Sequence, residues 1–337
     1  MPTAKKINIA EVATTAGVST TTVSRVINQV STVSEDNRQR VMTAIRKLKY
    51  RPNPAAQRLA AGRGNTVGLI IPRFEGIFHS FYAMQVIRGI GMAAEQIRCD
   101  LLLHITDGKT FPAFAVDGVV FVDIYGCEDL LDQTLEAGLP TVVLNHYLED
   151  LPVSCVAVDN STGAERAVGY LHELGHHDIA TITGDLKTQA GLDRFNGFVK
   201  AMKARQLPVK DHYIRFADFG LPSARAAAEA LLKLEDRPTA IFVASDDMAL
   251  EAINVALGRG LRVPEELSIV GFDDNPTAAH GRVALTTIRQ PLDDMGRKGL
   301  ELLWQRMTGK KQSVTKLMLP TELIERQSCR QTWLEPR

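Results

Sequence analysis

Cysteine is scarce in this chain, and the four present, Cys99, Cys127, Cys155 and Cys329, stand far apart with no Cys-x-x-Cys pair and no histidine at zinc spacing. That pattern excludes a disulfide framework and a structural zinc site, and reduced, buried thiols are expected. No apolar run approaches the ~20 residues that cross a bilayer. The polar start Met-Pro-Thr-Ala-Lys-Lys has no signal-peptide core, so a cytoplasmic protein without a membrane partner is expected. Gly-x-x-x-x-Gly-Lys-Ser/Thr, Gly-x-Ser-x-Gly and His-Glu-x-x-His are all missing. Gly89-Ile-Gly91 falls inside an expected helix and lacks a third glycine, so it is no dinucleotide fingerprint. No cofactor, no metal and no catalytic residue is expected. Internal repeats and low-complexity tracts are missing too.

What is present begins with charge. The formal net charge is zero, yet residues 1–63 carry eleven Lys/Arg against only three acids, Glu11, Glu35 and Asp36, a surplus of eight. The remainder therefore holds 28 basic against 36 acidic residues. A basic head on an acidic body suits phosphate binding at one end and self-avoidance at the other. With 337 residues, 45% hydrophobic and 23% charged, the chain can bury the cores of two or three ordinary domains.

Within the basic head, Ile9-Ala-Glu-Val-Ala-Thr-Thr-Ala-Gly17 reads as a helix with Ile9, Val12, Ala13 and Ala16 on one face and glycine at its end. Asn8 and Glu11 have the spacing of a capping box, and Ser19 stands where it can cap a second helix, Ser-Thr-Thr-Thr-Val-Ser-Arg-Val-Ile-Asn28. A third helix follows from Ser34. The shared core is expected from Val12, Ala13, Val23, Ile27, Val41, Ile45 and Leu48. Helix, tight turn, helix is the pattern of a DNA-reading head.

From residue 65 short β-rich runs alternate with helical stretches. Strands are expected at 66–71, 101–105, 118–122, 141–144, 155–158, 178–183, 212–215, 240–243, 268–271 and 286–289, several of them continuously apolar as in a sheet covered on both faces. Helices are expected at 81–96, 128–137, 162–174, 192–205, 223–232, 247–259 and 293–308. Two doubly wound α/β units follow, with a ligand cleft at the C-terminal ends of their strands. His176-His177, at a helix end, is expected to cap the last carbonyls.

These residues carry a resemblance. Ile9-Ala-Glu-Val-Ala, Gly17 to Asn28, Tyr50-Arg-Pro-Asn-Pro-Ala-Ala-Gln-Arg-Leu-Ala60, Val158-Asp-Asn, Leu174-Gly-His, Arg194-Phe-Asn-Gly-Phe, Ala244-Ser-Asp-Asp-Met-Ala-Leu, Val270-Gly-Phe-Asp-Asp and Leu285-Thr-Thr-Ile-Arg-Gln-Pro occur in one order along the chain. Each is weak alone. Together the chain resembles the LacI/GalR (lactose-repressor) family of bacterial transcription regulators over essentially its whole length.

The resemblance implies an all-α helix-turn-helix head plus an α/β, periplasmic-binding-protein-like body of two doubly wound parallel-sheet subdomains. The implied domains are a DNA-binding head at 1–50, a hinge helix at 51–63 and an effector-binding and dimerisation body at 64–337. In the body, an N-subdomain spans 64–159 and 291–318, and a C-subdomain spans 160–290 and 319–337. It also implies a homodimer on a double-stranded operator, with Thr20, Thr21 and Arg25 at the base-reading positions; Arg25 suits a bidentate pair to guanine. Ser19, Thr22, Ser24 and Asn28 would hold phosphates, although capping serves Thr22 and Ser24 equally well. Residues 53–61 match the family's hinge helix, too short to be stable alone. There Leu59 is the wedge between base pairs, and Asn53, Ala56 and Ala60 pack against the groove or the mate helix.

For the effector, the family pattern falls on Phe81, Tyr82, Asn145, Arg194, Phe219, Ser245, Asp246 and Asp273. Carboxylates, an amide, a guanidinium fork and aromatic rings suit a polyhydroxylated, sugar-like ligand. Repression is the expected sign. Two alternatives stand beside it, a nucleoside or purine-type corepressor and, through the acid pairs Asp246-Asp247 and Asp273-Asp274, a sugar-processing enzyme. One departure from the family is visible. Only Thr106 to Val116 separates two expected strands, room for one short turn where relatives have a full helix, on a face that serves the dimer. The chain also ends soon after Arg326 without a leucine-heptad tail, which points away from a tail-mediated tetramer.

Overall fold

The structure is a computed structural model that describes residues 7–27, 30, 32–50, 65–73, 80–108, 116–310 and 313–332. It contains two compact units, Met1–Gly64 and Asn65–Arg337.

Among the described residues the first unit has three helices, α1 (Ile9–Ala16), α2 (Thr20–Ile27) and α3 (Glu35–Leu48). The expected caps form: Glu11 N donates to Asn8 Oδ1 at 3.0 Å and Asn8 N to Glu11 Oε2 at 2.9 Å. Gly17 ends α1 at φ 63°, a left-handed conformation in which a Cβ would be strained. Thr22 N donates to Ser19 Oγ at 3.1 Å, starting α2. Val12, Val23 and Val41 are fully buried, with Ala13, Ala16, Val26 and Ala44 around them. The expected core positions Ile27, Ile45 and Leu48 only flank this centre. The small pair Val41 and Ala44 faces inward on α3 and leaves the bulkier Ile45 at the margin.

The second unit holds two sheets. In the N-lobe, β1 (Thr66–Pro72), β2 (Asp100–Thr106), β3 (Gly118–Phe121), β4 (Thr141–Leu144), β5 (Ser154–Val158) and β11 (Lys316–Leu319) lie in the order β11-β5-β4-β3-β1-β2, all parallel. In the C-lobe, β6 (Ile179–Ile182), β7 (Ile214–Arg215), β8 (Ala240–Val243), β9 (Ser268–Asp273), β10 (Thr286–Arg289) and β12 (Glu322–Ile324) lie in the order β12-β10-β9-β8-β6-β7. Only β12 is antiparallel, on β10. The helices are α4 (Phe81–Ile97), α5 (Glu128–Glu136), α6 (Asn160–Glu173), α7 (Gln189–Ala204), α8 (Leu221–Leu231), α9 (Asp246–Gly258), α10 (Pro276–His280) and α11 (Leu292–Met307). Alternation along each strand feeds a core on both sheet faces: Leu69 and Ile70 belong to opposite N-lobe cores, Ile241 and Phe242 to opposite C-lobe cores. The chain crosses between lobes after β5, after β10 and after β11, so β10 feeds α11 back onto the N-lobe.

There α11 packs on α4 at close range. A Cβ on Gly89 would overlap the backbone of Asp293, and one on Gly296 the backbone of Val86. Gly89 thus serves helix packing.

Three expectations are corrected. The strand expected at 212–215 shrinks to Ile214–Arg215 behind a 3-10 turn at Asp211–Tyr213. His212 Nε2 meets Asp236 Oδ2 at 2.8 Å and the Tyr213 hydroxyl donates to Asp236 O, which draws both residues off the sheet. His176 does not cap a helix with its ring. It is buried, with Nδ1 2.9 Å from Thr239 Oγ1 and Nε2 2.9 Å from Ser268 Oγ and 3.1 Å from Arg330 O, tying the C-terminal segment to the C-lobe. Burial pushes its pKa down to about 4, so it is neutral there. Finally, β11, β12 and α10 were not anticipated. The short crossover lies outside the described residues over 109–115.

Candidate DNA and effector interfaces

On the head, Ser19, Thr20, Thr21 and Arg25 are exposed on one side of α2, while Val23 and Val26 face the core. The valine spacing turns the threonines and the arginine outward. Thr22 and Ser24 are half-buried, and Thr22 Oγ1 lies 2.9 Å from Ser19 Oγ, so its hydroxyl serves the cap. Asn28, Asn53, Ala56, Leu59 and Ala60 lie outside the described residues.

In the body Tyr82, Phe219, Asp246 and Asp273 lie near Arg194 on α7, which has only 4% of its surface exposed. Its Nε donates to Asn160 Oδ1 at 2.8 Å and its Nη1 to Ala244 O at 2.5 Å. The same Nη1 is 3.6 Å from Asp273 Oδ1. The guanidinium lies 3.9 Å from the centre of the Phe272 ring and 5.9 Å from that of Phe219. Strands β5, β8 and β9 deliver Asn160, Ala244 and Asp273 to this point from their C-terminal ends. Gly184, just after β6, leaves room for the Phe219 ring, which a Cβ there would overlap.

Opposite, on the N-lobe, Tyr82 is near enough to feel the charge of Arg194, and its hydroxyl donates to Val122 O at 2.5 Å. Burial, then the charge of Asp123, holds the Tyr82 hydroxyl well above the usual phenol range, so it stays a neutral donor. Asn145, just after β4, donates through Nδ2 to Asp123 Oδ2 at 2.9 Å. The lobes touch where Tyr147 N donates to Gln189 Oε1 at 3.2 Å. Phe81 and Asp273 line one cavity of about 130 Å³ with Gln85, Asp274, Arg289, Gln290, Leu292 and Asp293.

Two expected residues are placed differently. Ser245 caps α9, accepting from Met248 N at 3.4 Å. Asp246 is fully buried and accepts from Asn275 N, at 2.7 Å, and from the Thr287 hydroxyl, so it holds the loop after β9. Burial, then the neighbouring Asp273 charge, pushes its pKa up to about 8. Asp273 is pushed up to about 6 by burial, against the pull of Arg194. Asp123, Asn160 and Gln290 belong to the site and were missed; the signal for them was a polar residue one or two positions beyond each strand's C-terminal end. Among the described residues no three His, Cys, Asp or Glu side chains gather as metal ligands. No described helix is long and apolar enough to cross a membrane.

Comparison with known proteins agrees with this architecture. Residues 8–53 match the bacterial regulatory proteins of the lacI family, and residues 168–329 match the periplasmic binding protein-like domain. The HTH-type transcriptional regulator DegA of Bacillus subtilis (strain 168) is 33% identical over 335 residues, covering 96% of this chain and 98% of that one. Among solved structures, a complex of the transcriptional regulator CelR with cellobiose is 33% identical, with a TM-score of 0.73, covering 96% of this chain and 99% of that one. The Lac repressor dimer bound to operator and the anti-inducer ONPF is 27% identical, with a TM-score of 0.86, covering 97% and 100%. With a basic helix-turn-helix head and a two-lobed α/β body, this chain belongs to the lacI family of bacterial regulatory proteins and is a DNA-binding transcriptional regulator.

Proposed function

We propose that this regulator is a cytoplasmic repressor that binds a twofold-symmetric operator as a homodimer, and that a sugar or sugar derivative in the interlobe cleft sets its operator affinity. The head at 1–50 reads DNA through Thr20, Thr21 and Arg25, with Ser19 and Asn28 on phosphates. The segment 51–63 is the hinge, with Leu59 as its wedge and Asn53, Ala56 and Ala60 against the groove or the mate helix. The body at 64–337 holds the effector with Phe81, Tyr82, Asn145, Arg194, Phe219 and Asp273 and catalyses no reaction.

The observation that carries the effector site is the buried Arg194, fixed at the strand ends between Asp273 and the faces of Phe272 and Phe219. The guanidinium Nη2 and the Phe219 ring, meeting at that end of a doubly wound sheet, offer the polar and apolar walls a sugar ring needs. The cellobiose bound by CelR supports the ligand class. Effector and operator then act through one coupling free energy, each changing the other's affinity by the same factor.

The test is selection of duplexes from random DNA by the full-length protein, with and without a panel of sugars, sugar acids and nucleosides. Recovery of a symmetric site whose occupancy changes with one sugar supports the reading. A site that responds only to a purine shifts the effector to the corepressor class, and specific binding that survives removal of residues 1–63 overturns the domain assignment.

A further inference from the structure

Two buried amides in the cleft share one pattern. Gln290, 6% exposed, donates through Nε2 to Asp273 Oδ1 at 2.6 Å, and its Oε1 has no hydrogen-bond partner among the described residues. Asn145, 7% exposed, donates through Nδ2 to Asp123 Oδ2 at 2.9 Å, and its Oδ1 is likewise unpaired among the described residues. In each the carboxylate fixes the amide's orientation, because a flip would point a carbonyl oxygen at a carboxylate oxygen. One N–H of each amide is spent inside the protein and the acceptor oxygen is left over. Gln290 lines the cleft cavity together with Phe81 and Asp273, and Asn145 stands just after β4, at the C-terminal edge of the N-lobe sheet. Buried acceptors without partners are costly, so a donor from a ligand is their natural complement.

Most donors of the cleft are committed as well. Arg194 Nε and Nη1 are bonded to Asn160 and Ala244 with its charge beside Asp273, which leaves Nη2 without a bond to the protein among the described residues. The Tyr82 hydroxyl donates to Val122 O. Arg289, the cation lining the cavity, is paired with Asp274 at 2.7 Å and Glu322 at 3.1 Å. A carboxylate or phosphate group on a ligand only accepts hydrogen bonds and would meet Asp273 and Asp123, while the described cations there, Arg194 and Arg289, are already paired with Asp273 and with Asp274 and Glu322.

We propose that the cleft selects a ligand rich in hydrogen-bond donors and without negative charge, a neutral or amino-substituted polyol, whose hydroxyl or ammonium groups are read by Gln290 Oε1 and Asn145 Oδ1 and the carboxylates behind them. This rests on the cleft being the effector site. It excludes uronates and sugar phosphates as effectors.

The experiment is calorimetric titration of the full-length protein with matched sets on gluco, galacto and ribo skeletons, in neutral, amino, acid and phosphate forms where each exists, with cellobiose, hypoxanthine and guanine added. The expected result is binding of a neutral or amino member, with the acid and phosphate of that skeleton weaker by about 100-fold, the scale of a buried unpaired group. Gln290→Leu and Asn145→Leu should each weaken that ligand about tenfold, one hydrogen bond's worth. Tightest binding by a uronate or a phosphate overturns the charge selection while leaving a sugar effector in place. Binding of a purine alone, or of nothing, overturns the sugar reading and this inference with it.

Discussion

Replacing Arg194 by methionine keeps the apolar stem and removes the guanidinium, and its cost can be worked out from what is left behind. Asn160 Oδ1 and Ala244 O each lose a charged donor, and Asp273 loses its counter-charge inside the protein. Bonds to charged groups contribute about 1.5–3 kcal/mol each, and breaking a buried pair costs about 3–5 kcal/mol. Two effects pull the sum down. The burial penalty of the guanidinium itself is recovered, and Asp273, already pushed up to about 6, rises further without Arg194 and takes a proton instead of staying charged. The net loss should be about 3 kcal/mol, or roughly 6–12 °C in the melting temperature for a body of this size. A raised carboxylate pKa binds a proton in the folded state that the unfolded state releases, so the penalty grows as pH rises. Calorimetric melts of wild type and Arg194→Met at pH 6 and pH 8 should therefore show the larger gap at pH 8. A variant that melts with the wild type, or whose deficit shrinks at pH 8, would refute the account of Arg194 as the charged centre of the site.

Three further outcomes are expected. Asp246 is held up to about 8 by burial and by Asp273, above its unfolded value near 3.9. Its contribution to stability is fully present below about pH 4 and declines toward pH 8 by at most ~1.4 kcal/mol per pH unit, so Asp246→Asn should flatten the fall in melting temperature between pH 6 and pH 8. Gly184→Ala puts a Cβ into the Phe219 ring and should push the ring off the cleft; titration with the effector should show about tenfold weaker binding, and unchanged affinity would separate Phe219 from the site. Arg25→Ala should cost about 1–3 kcal/mol of specific operator binding while leaving non-specific, salt-dependent binding nearly intact, and an equal loss in both would reassign Arg25 to a phosphate.

The head and most of the body were legible because their signals are local. The Asn8 to Glu11 spacing, Gly17 and Ser19 name the ends of α1 and α2, and both caps are there. Apolar runs such as Val142-Val-Leu144 and Ala240-Ile-Phe-Val243 can only be buried strands in a chain without a membrane span. What sequence missed is non-local or too short to have a period. β12 is three residues long and exists because β10 offers an edge, and α10 is five residues started by Asn275 and a proline. Tyr213 leaves its expected strand because of Asp236, more than twenty positions on, a partner no local pattern announces. The same holds inside the site. Asp246 carries the look of a cleft ligand, yet Thr287 and Asn275, brought alongside by the sheet order, claim both its oxygens.

Backbone conformation ties these observations to function. Among the described residues seven besides glycine have positive φ: Lys49, Arg98, Asn145, Gln206, Phe219, Asp273 and Asp274. Lys49 and Arg98 close the ends of α3 and α4, and Gln206 follows the end of α7, the ordinary use of a left-handed residue. The other four close no helix C-terminus. Each follows or ends a stretch at the cleft side of a sheet, and each such residue costs about 1–3 kcal/mol unless its surroundings over-determine it. Here they do. Asn145 is held by Asp123, Asp273 by Gln290, Asp274 by Arg289 and Arg326, and Phe219 by the space that Gly184 leaves. Two of the four, Phe219 and Asp273, lie beside the Arg194 guanidinium, and strain gathered on the strand-end side of the sheets is what a pre-organised binding site requires and what fold stability alone does not. The cleft is therefore built ahead of its ligand, and the ligand's binding energy remains available to shift the regulator between its states.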